Sequence, residues 1–403
     1  MKKISSLLMT LAISTSLYAE GYQVNLQSTK QTGMGHVGSA LKLGAESMHF
    51  NPAGLGFMQS KMDFSMGASA IFATSTFDDN NGYKAETDND FSTPLYLYAS
   101  FSLSQKIKAG ISVTTPYGSS NNWGKDWKGA SLIQDIALKA FVYQPTLSYR
   151  ISEKLSIGAG LMLSNGSVEL RRKVAVFGAN VEGKSELAFG YNLGLMYDIN
   201  NKWTLGASYR SKMMLEVEAG DLSLTGPMTI NRKFSSELPL PSNLNIGLCF
   251  KPNDKLLLSA DFQLTGWSAY EKLILTFDEA ITIPGMPSMA NLSATKNYEN
   301  SFAIRFGGQY NVNERLDIRA GIYYDSTPIQ EDYYNPETPG MNKLGISAGL
   351  SYRPMKNLSI DAALLTIQGL GKDGSYTVSG TEVFSGSYTS VAYVPSIGVS
   401  YAF

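Results

Sequence analysis

The last thirteen residues alternate in character at every step. Val391, Tyr393, Pro395, Ile397, Val399, Tyr401 and Phe403 fall on one face of an extended chain, and Ala392, Val394, Ser396, Gly398, Ser400 and Ala402 on the other. Successive side chains of a strand point to opposite faces, so this segment is a strand with one large apolar face and one small face. The habit recurs from about residue 60 onward. Phe302, Ile304, Phe306 and Tyr310 oppose Ser301, Arg305, Gln309 and Asn311, and Leu316, Ile318, Ala320 and Ile322 oppose Asp317, Arg319 and Gly321. There the second face is openly charged. Similar strands read at 95–103, 107–115, 143–151, 155–163, 191–199, 203–209, 244–250, 256–264, 344–352 and 358–364. A less regular first strand near 63–72 brings the total to 14, an even number, as a closed antiparallel bacterial barrel requires.

The connections sort into two kinds. Every second one is a tight polar turn followed by an apolar residue: Gln105-Lys106-Ile107, Glu153-Lys154-Leu155, Asn201-Lys202-Trp203, Asp254-Lys255-Leu256, Glu314-Arg315-Leu316 and Lys356-Asn357-Leu358. The intervening ones, near 116–139, 174–185, 222–240, 278–300, 326–343 and 369–390, read as long and irregular. Short turns at one end and long loops at the other mark an outer-membrane barrel, and a soluble sandwich has no reason to sort its loops this way. Tyr149, Tyr197, Tyr209, Phe250, Tyr310, Tyr352 and Tyr401 fall on the apolar face, and we expect them near the short-turn end as an interfacial girdle.

The N-terminus fits export. Met1-Lys2-Lys3 precedes an apolar stretch of 14 residues, Ile4 to Leu17, then Tyr18-Ala19 before Glu20, which is the layout of a signal peptide cleaved after Ala19. The stretch is short of the roughly 20 residues that a spanning helix needs, and no later stretch reaches that length. A helical membrane protein is excluded. Cleavage removes Lys2 and Lys3 from 33 basic residues, leaving 31 against 34 acidic, so nothing points to nucleic acid. Cys249 is the lone cysteine, which rules out an internal disulfide.

Lipid offers no hydrogen-bonding partners, so the strands close into a ring with the apolar face outward and the charged face inward. About 8 strands fill their own interior and about 16 leave an aqueous channel, so 14 leave a hole. The segment 20–60 lacks alternation, carries Gly33, Gly35, Gly38, Gly44, Gly54 and Gly56, and precedes the first wall strand. It is the expected plug. The domain reading is therefore a signal peptide at 1–19, an N-terminal hatch at 20–60 and a barrel at 61–403.

Several motifs carry a family resemblance: Asn51-Pro52-Ala53 in the small-residue N-terminal segment, Trp123 to Trp127 with Gly129 after Pro116-Tyr117-Gly118, Leu240-Pro241-Ser242-Asn243-Leu244 before the Trp267 strand, and the terminal Phe403. With these the chain resembles, over essentially its whole length, the FadL family of outer-membrane transporters, which includes fatty-acid and toluene-type hydrocarbon channels. The resemblance implies an all-β membrane protein: a 14-stranded antiparallel transmembrane β-barrel in the outer membrane of a Gram-negative bacterium, with the hatch inside its lumen. It implies passive uptake of a hydrophobic small molecule, long-chain fatty acids foremost, held in an apolar lumen pocket and released sideways when the hatch shifts. Aromatic hydrocarbon transport and a nontransport structural or adhesive barrel are the alternatives. The route makes physical sense, since an alkyl chain gains about 0.8 kcal/mol per CH₂ from apolar surroundings.

Candidate residues follow. Asn51, Pro52 and Ala53 form a tight turn and are candidates for gating. Arg150, Arg305 and Arg319, on the lumen face with Arg210 and Arg353, could receive a carboxylate through paired hydrogen bonds, or pair with Asp198, Asp261, Asp317, Asp325 or Asp361. Trp123 and Trp127 could gather apolar substrate at the outer rim or serve as interfacial anchors. An enzyme is not expected: His36 and His49 are the two histidines, both in the hatch, so a serine on the barrel wall has no base. Neither a metal nor a cofactor is expected, with no histidine pair at ligand spacing. The expected partners are the hydrophobic substrate and outer-membrane lipid, and the protein is expected to be a monomer.

Overall fold

The computed structural model describes residues 21–282, 288–378 and 381–403; the expected signal peptide at 1–19 lies outside the described residues, as does Glu20. Fourteen strands form the wall. They begin with β1 (Met62–Ser69), β2 (Leu95–Ser102), β3 (Ile107–Asn122), β4 (Asp135–Arg150) and β5 (Leu155–Val174). They continue with β6 (Ala188–Asp198), β7 (Trp203–Arg210), β8 (Ser242–Phe250), β9 (Leu256–Gly266) and β10 (Ser301–Asn313). The last four are β11 (Leu316–Asp325), β12 (Lys343–Met355), β13 (Leu358–Gly369) and β14 (Thr381–Ala402). Each pairs antiparallel with the next, and β1 pairs with β14 from Asp63↔Ala402 to Ser69↔Ser396, which closes the ring.

One strand shows how the sequence encodes both membrane and lumen. Along β5, Ile157, Ala159 and Leu161 are exposed on the lipid face, while Ser156, Gly160, Met162 and Ser164 are buried toward the lumen. Above Ser164 the faces exchange character: Glu169, Arg171 and Lys173 point outward and Val168, Leu170 and Val174 inward. A strand cannot shift its pleat without a bulge, so the exchange marks where the outside medium changes from lipid to water. Exposed Leu147, Leu193, Ile246, Phe306, Ile346, Leu350, Leu364 and Ile397 continue the apolar band around the ring.

The short turns are held by local side-chain caps. Asn200 Oδ1 accepts from the Lys202 and Trp203 N–H groups, Asn253 Oδ1 from Lys255 and Leu256, and Asn313 Oδ1 from Arg315. Six of the seven expected girdle aromatics lie beside this end. Tyr209 does not: β7 runs outward from its turn, so Tyr209 sits at the far end, its ring 6.0 Å from Tyr191, and Trp203 stacked 4.2 Å from Phe250 takes the inner position.

Most of the long connections are not irregular, though residues 326–342 carry no strand, as expected. Strands at Phe177–Lys184, Met213–Thr225, Thr229–Leu240, Lys272–Ile281 and Met289–Thr295 continue the sheet beyond the membrane from the upper half of β5, and Lys372–Val378 pairs with β14. They escape an alternation search tuned to lipid because here water lies on the outer face and the apolar residues point in.

Residues 21–61 occupy the lumen through two short helices, α1 (Thr29–Thr32) and α2 (Ser47–Phe50), and 3₁₀ turns at Gly44–Glu46 and Pro52–Phe57. Such short helices leave most of their carbonyls without intrahelical partners. The wall supplies them: Gln144 and Asn192 donate to the Met48 carbonyl, Arg210 to His49 and Ser208 to Phe50. That is why the lumen face at this height is polar and small.

Candidate functional site

Two cavities flank the hatch. The outer one encloses about 1650 Å³ of space, part of it open to solvent, and lies in the sheet extension above the membrane. Its walls come from alternating inward residues of six strands: Leu170 and Val174 on β5, then Val181, Leu222, Phe234, Leu238, Leu275 and Leu292 on the outer strands. Alternation places these side chains together, because each strand contributes every second residue to the inside. Four charged groups interrupt this lining. Lys296 Nζ lies 2.6 Å from Glu337 Oε2, both buried, while Arg172 and Glu237 have no ion pair among the described residues. Burial holds the nearby Tyr270 and Tyr298 phenols well above their ordinary range, so both rings stay neutral.

Tyr22, the second described residue, reaches this cavity from the hatch. Its ring stands edge-on to Trp267 at 4.8 Å and to Tyr270 at 5.9 Å, and its hydroxyl donates to the Pro239 carbonyl. The backbone beside it meets the wall at a flaw. The β2–β3 ladder stops at Tyr96↔Thr114, and the register between β3 and β4 shifts between Thr114 and Tyr117, where Pro116 cannot donate. Leu95 and the Thr115 side chain make the last contacts across the seam. Above them, the next main-chain bond across it among the described residues joins the Asp88 N–H to the Asn122 carbonyl. Into this interval the hatch sends its own strand edge: Val24 N–H donates to the Pro116 carbonyl at 2.8 Å and Gly118 N–H to the Tyr22 carbonyl at 2.9 Å.

Asn51, Pro52 and Ala53 are fully buried against β5 and β6. The Asn51 amide donates to the Ser39 and Leu195 carbonyls at 2.7 and 3.0 Å, and its oxygen accepts from the Ala53 N–H at 3.1 Å, capping the turn Pro52–Phe57. The five residues expected to touch substrate have other partners, and none lines the outer cavity. Arg150 sits at the short-turn end, over the Phe57 ring at 5.2 Å and donating to the Glu153 carbonyl. Arg305 donates to Gln263 Oε1 across the wall. Arg319 bonds Gln309 and Ser351, lies 3.5 Å from Asp317 and faces the second cavity. Trp123 and Trp127 stack at 4.6 Å inside the loop core, with their indole N–H groups on the Pro336 and Ile133 carbonyls, so neither is presented at the rim.

Arg172, which sequence reasoning did not single out, carried a readable signal. It breaks the inward apolar series Val168, Leu170, Val174 at a position where the pattern calls for another aliphatic residue. The signal is visible only if the strand is carried past Leu163.

The second cavity, about 1230 Å³ with part of it open to solvent, lies on the short-turn side between the hatch and β7 to β14 and is lined by charged and polar residues together with apolar ones such as Met34, Leu41 and Leu257.

Residues 10–403 match the family described as outer membrane protein transport protein (OMPP1/FadL/TodX). The chain belongs to this family. Among its relatives are a putative outer membrane protein of Neisseria meningitidis serogroup B, 26% identical over 100% of this chain and 98% of that one, and the long-chain fatty acid transport protein of Escherichia coli O6:H1, 22% identical over 89% of each. The fold matches that of a Pseudomonas aeruginosa FadL homologue with a TM-score of 0.84, at 19% identity over 95% of this chain and 100% of that one. It also matches the P. putida toluene transporter TodX with a TM-score of 0.76, at 19% identity over 96% and 99%. This FadL-family member is an outer-membrane transporter of hydrophobic compounds, and its family and fold are those of transport channels.

Proposed function

We propose that this transporter takes up long-chain fatty acids, with the outer cavity as the binding site and Arg172 as the partner of the carboxylate. The observation that carries this reading is a guanidinium in an apolar lining without an ion pair among the described residues. A hydrocarbon has no use for such a group, and a carboxylate does. Lys296 is already neutralised by Glu337, so Arg172 is the cation available to an incoming anion. About ten buried methylenes would contribute on the order of 8 kcal/mol before the entropy of binding is subtracted.

Release is sideways. The hatch, residues 20–60 after removal of the signal peptide at 1–19, closes the seam between β2 and β3 with residues 22–24, and withdrawal of Tyr22 joins the cavity to that seam and so to the membrane. Asn51, Pro52 and Ala53 serve as the fixed end of this movement. The barrel of residues 61–403 completes its own ring and works as a monomer in outer-membrane lipid.

The test is uptake of labelled oleate by cells lacking their own fatty-acid channel, with surface levels matched. The wild-type protein is expected to restore uptake, and Arg172→Leu to lower it about tenfold or more, the worth of one charge-assisted hydrogen bond. Toluene uptake should be unchanged by the substitution. Correctly inserted protein that leaves oleate at background overturns the fatty-acid reading and favours aromatic hydrocarbons.

A further inference from the structure

The hatch meets the wall closely on both sides: Pro52 and Ala53 pack over Gly158 of β5 and Gly194 of β6, and Gly35 and Gly33 pack over Gly321 of β11 and Gly349 of β12. On the short-turn side of the latter contacts it faces the second cavity, and there Lys30 of α1 reaches across. Its ammonium lies 3.7 Å from Glu46 Oε1 and 3.7 Å from Asp361 Oδ2, and it donates to Ser400 Oγ at 2.7 Å. Both carboxylates are 1% exposed. Glu46 belongs to the hatch and also accepts from Ser28 and from Ser65 of β1; Asp361 belongs to β13. One cation therefore ties a buried acid of the moving part to a buried acid of the wall, with the Arg319 guanidinium also acting on both. Without it the ionic tie from hatch to wall is lost and the two acids keep one cation fewer, and the cavity beside them gives the hatch somewhere to go.

We propose that Lys30 is a latch, and that when it parts from Glu46 and Asp361 the hatch yields into this cavity and the protein passes small hydrophilic solutes. The chemical class follows from the lining. Lys30, Glu46, Asp63, Asp317, Arg319 and Arg353 solvate ions and sugars, and they interrupt the apolar stretches at Met34, Leu41 and Leu257. This second, hydrophilic route rests on the hatch being a movable part, and not on which compound the outer cavity binds.

Vesicles carrying the purified full-length protein test it by swelling in arabinose. The wild-type protein is expected to be nearly tight, Lys30→Met to swell about tenfold faster or more, and Lys30→Arg to restore tightness. Glu46→Gln and Asp361→Asn keep hydrogen-bonding shape while removing one acid each, and they carry the same test if Lys30→Met does not reach the membrane. Glu46→Gln is expected to leave vesicles tight, because Lys30 still pairs with Asp361 of the wall, and Asp361→Asn to leak as Lys30→Met does. Heat-modifiable gel mobility reports a closed barrel in each case. A folded Lys30→Met protein as tight as wild type overturns the latch, as does a tight Asp361→Asn variant. Oleate uptake, measured separately, judges the transport reading by itself.

Discussion

Asn51→Ala is expected to loosen the hatch by about 2–6 kcal/mol while the fourteen-stranded wall stays closed. The estimate follows from what the side chain holds. Asn51 is fully buried, and its amide satisfies the Ser39 carbonyl while its oxygen satisfies the Ala53 N–H. Alanine leaves both backbone groups without that partner, at about 1–3 kcal/mol each. A third bond, to the Leu195 carbonyl, ties the turn to β6, so its loss frees the hatch from the wall as well as from itself. Limited proteolysis of detergent-solubilised protein reads the outcome: cleavage within residues 21–61 should accelerate strongly, with heat-modifiable mobility unchanged. Unchanged cleavage would mean that the side chain does not hold the hatch.

Gly206→Val is expected to unseat the hatch altogether. Gly206 stands on β7 where a Cβ would overlap the Ser39 carbonyl, and the strand cannot retreat because it is paired on both sides, to Met196 of β6 and to Gly247 of β8. The hatch must give instead. Overpacking typically costs about 1–3 kcal/mol, and more where backbone meets backbone. Gly308→Val is the control: on β10 its added Cβ meets the Leu258 side chain rather than the hatch, so hatch protection should be unaffected. Vesicle swelling and proteolysis together should separate the two variants. Equal behaviour would mean that the close approach at Gly206 does not seat the hatch.

Much of this was legible in the residues, for reasons that can be traced strand by strand. Lipid on one side forces large apolar groups onto every second position, as at Ile157 and Leu161, and no other environment makes that demand so strictly. The short turns were legible because a two- to five-residue link must be capped locally, as Asn200 and Asn253 do. The site was less legible. The lumen arginines could be read as anion receptors or as partners within the wall, and only register shows which groups Arg305 and Arg319 bond, namely Gln263, Gln309, Ser351 and Asp317. Trp123 and Trp127 looked like rim residues because their loop is outside the membrane, and they are buried because other loops fold over them.

The sequence by itself determined the number of wall strands, the direction of each face, the end with short turns and the presence of a segment that could not belong to the wall. These depend on interactions repeating every two residues or closing within four, so they are written locally. Only the tertiary structure decided where the apolar cavity lies, which cation faces it, which seam Tyr22 and Val24 close, and that Lys30 bridges Glu46 to Asp361. Each of those joins residues tens to hundreds of positions apart. Their meeting is set by ring closure and by the fit of hatch backbone against wall glycines, which no local pattern records.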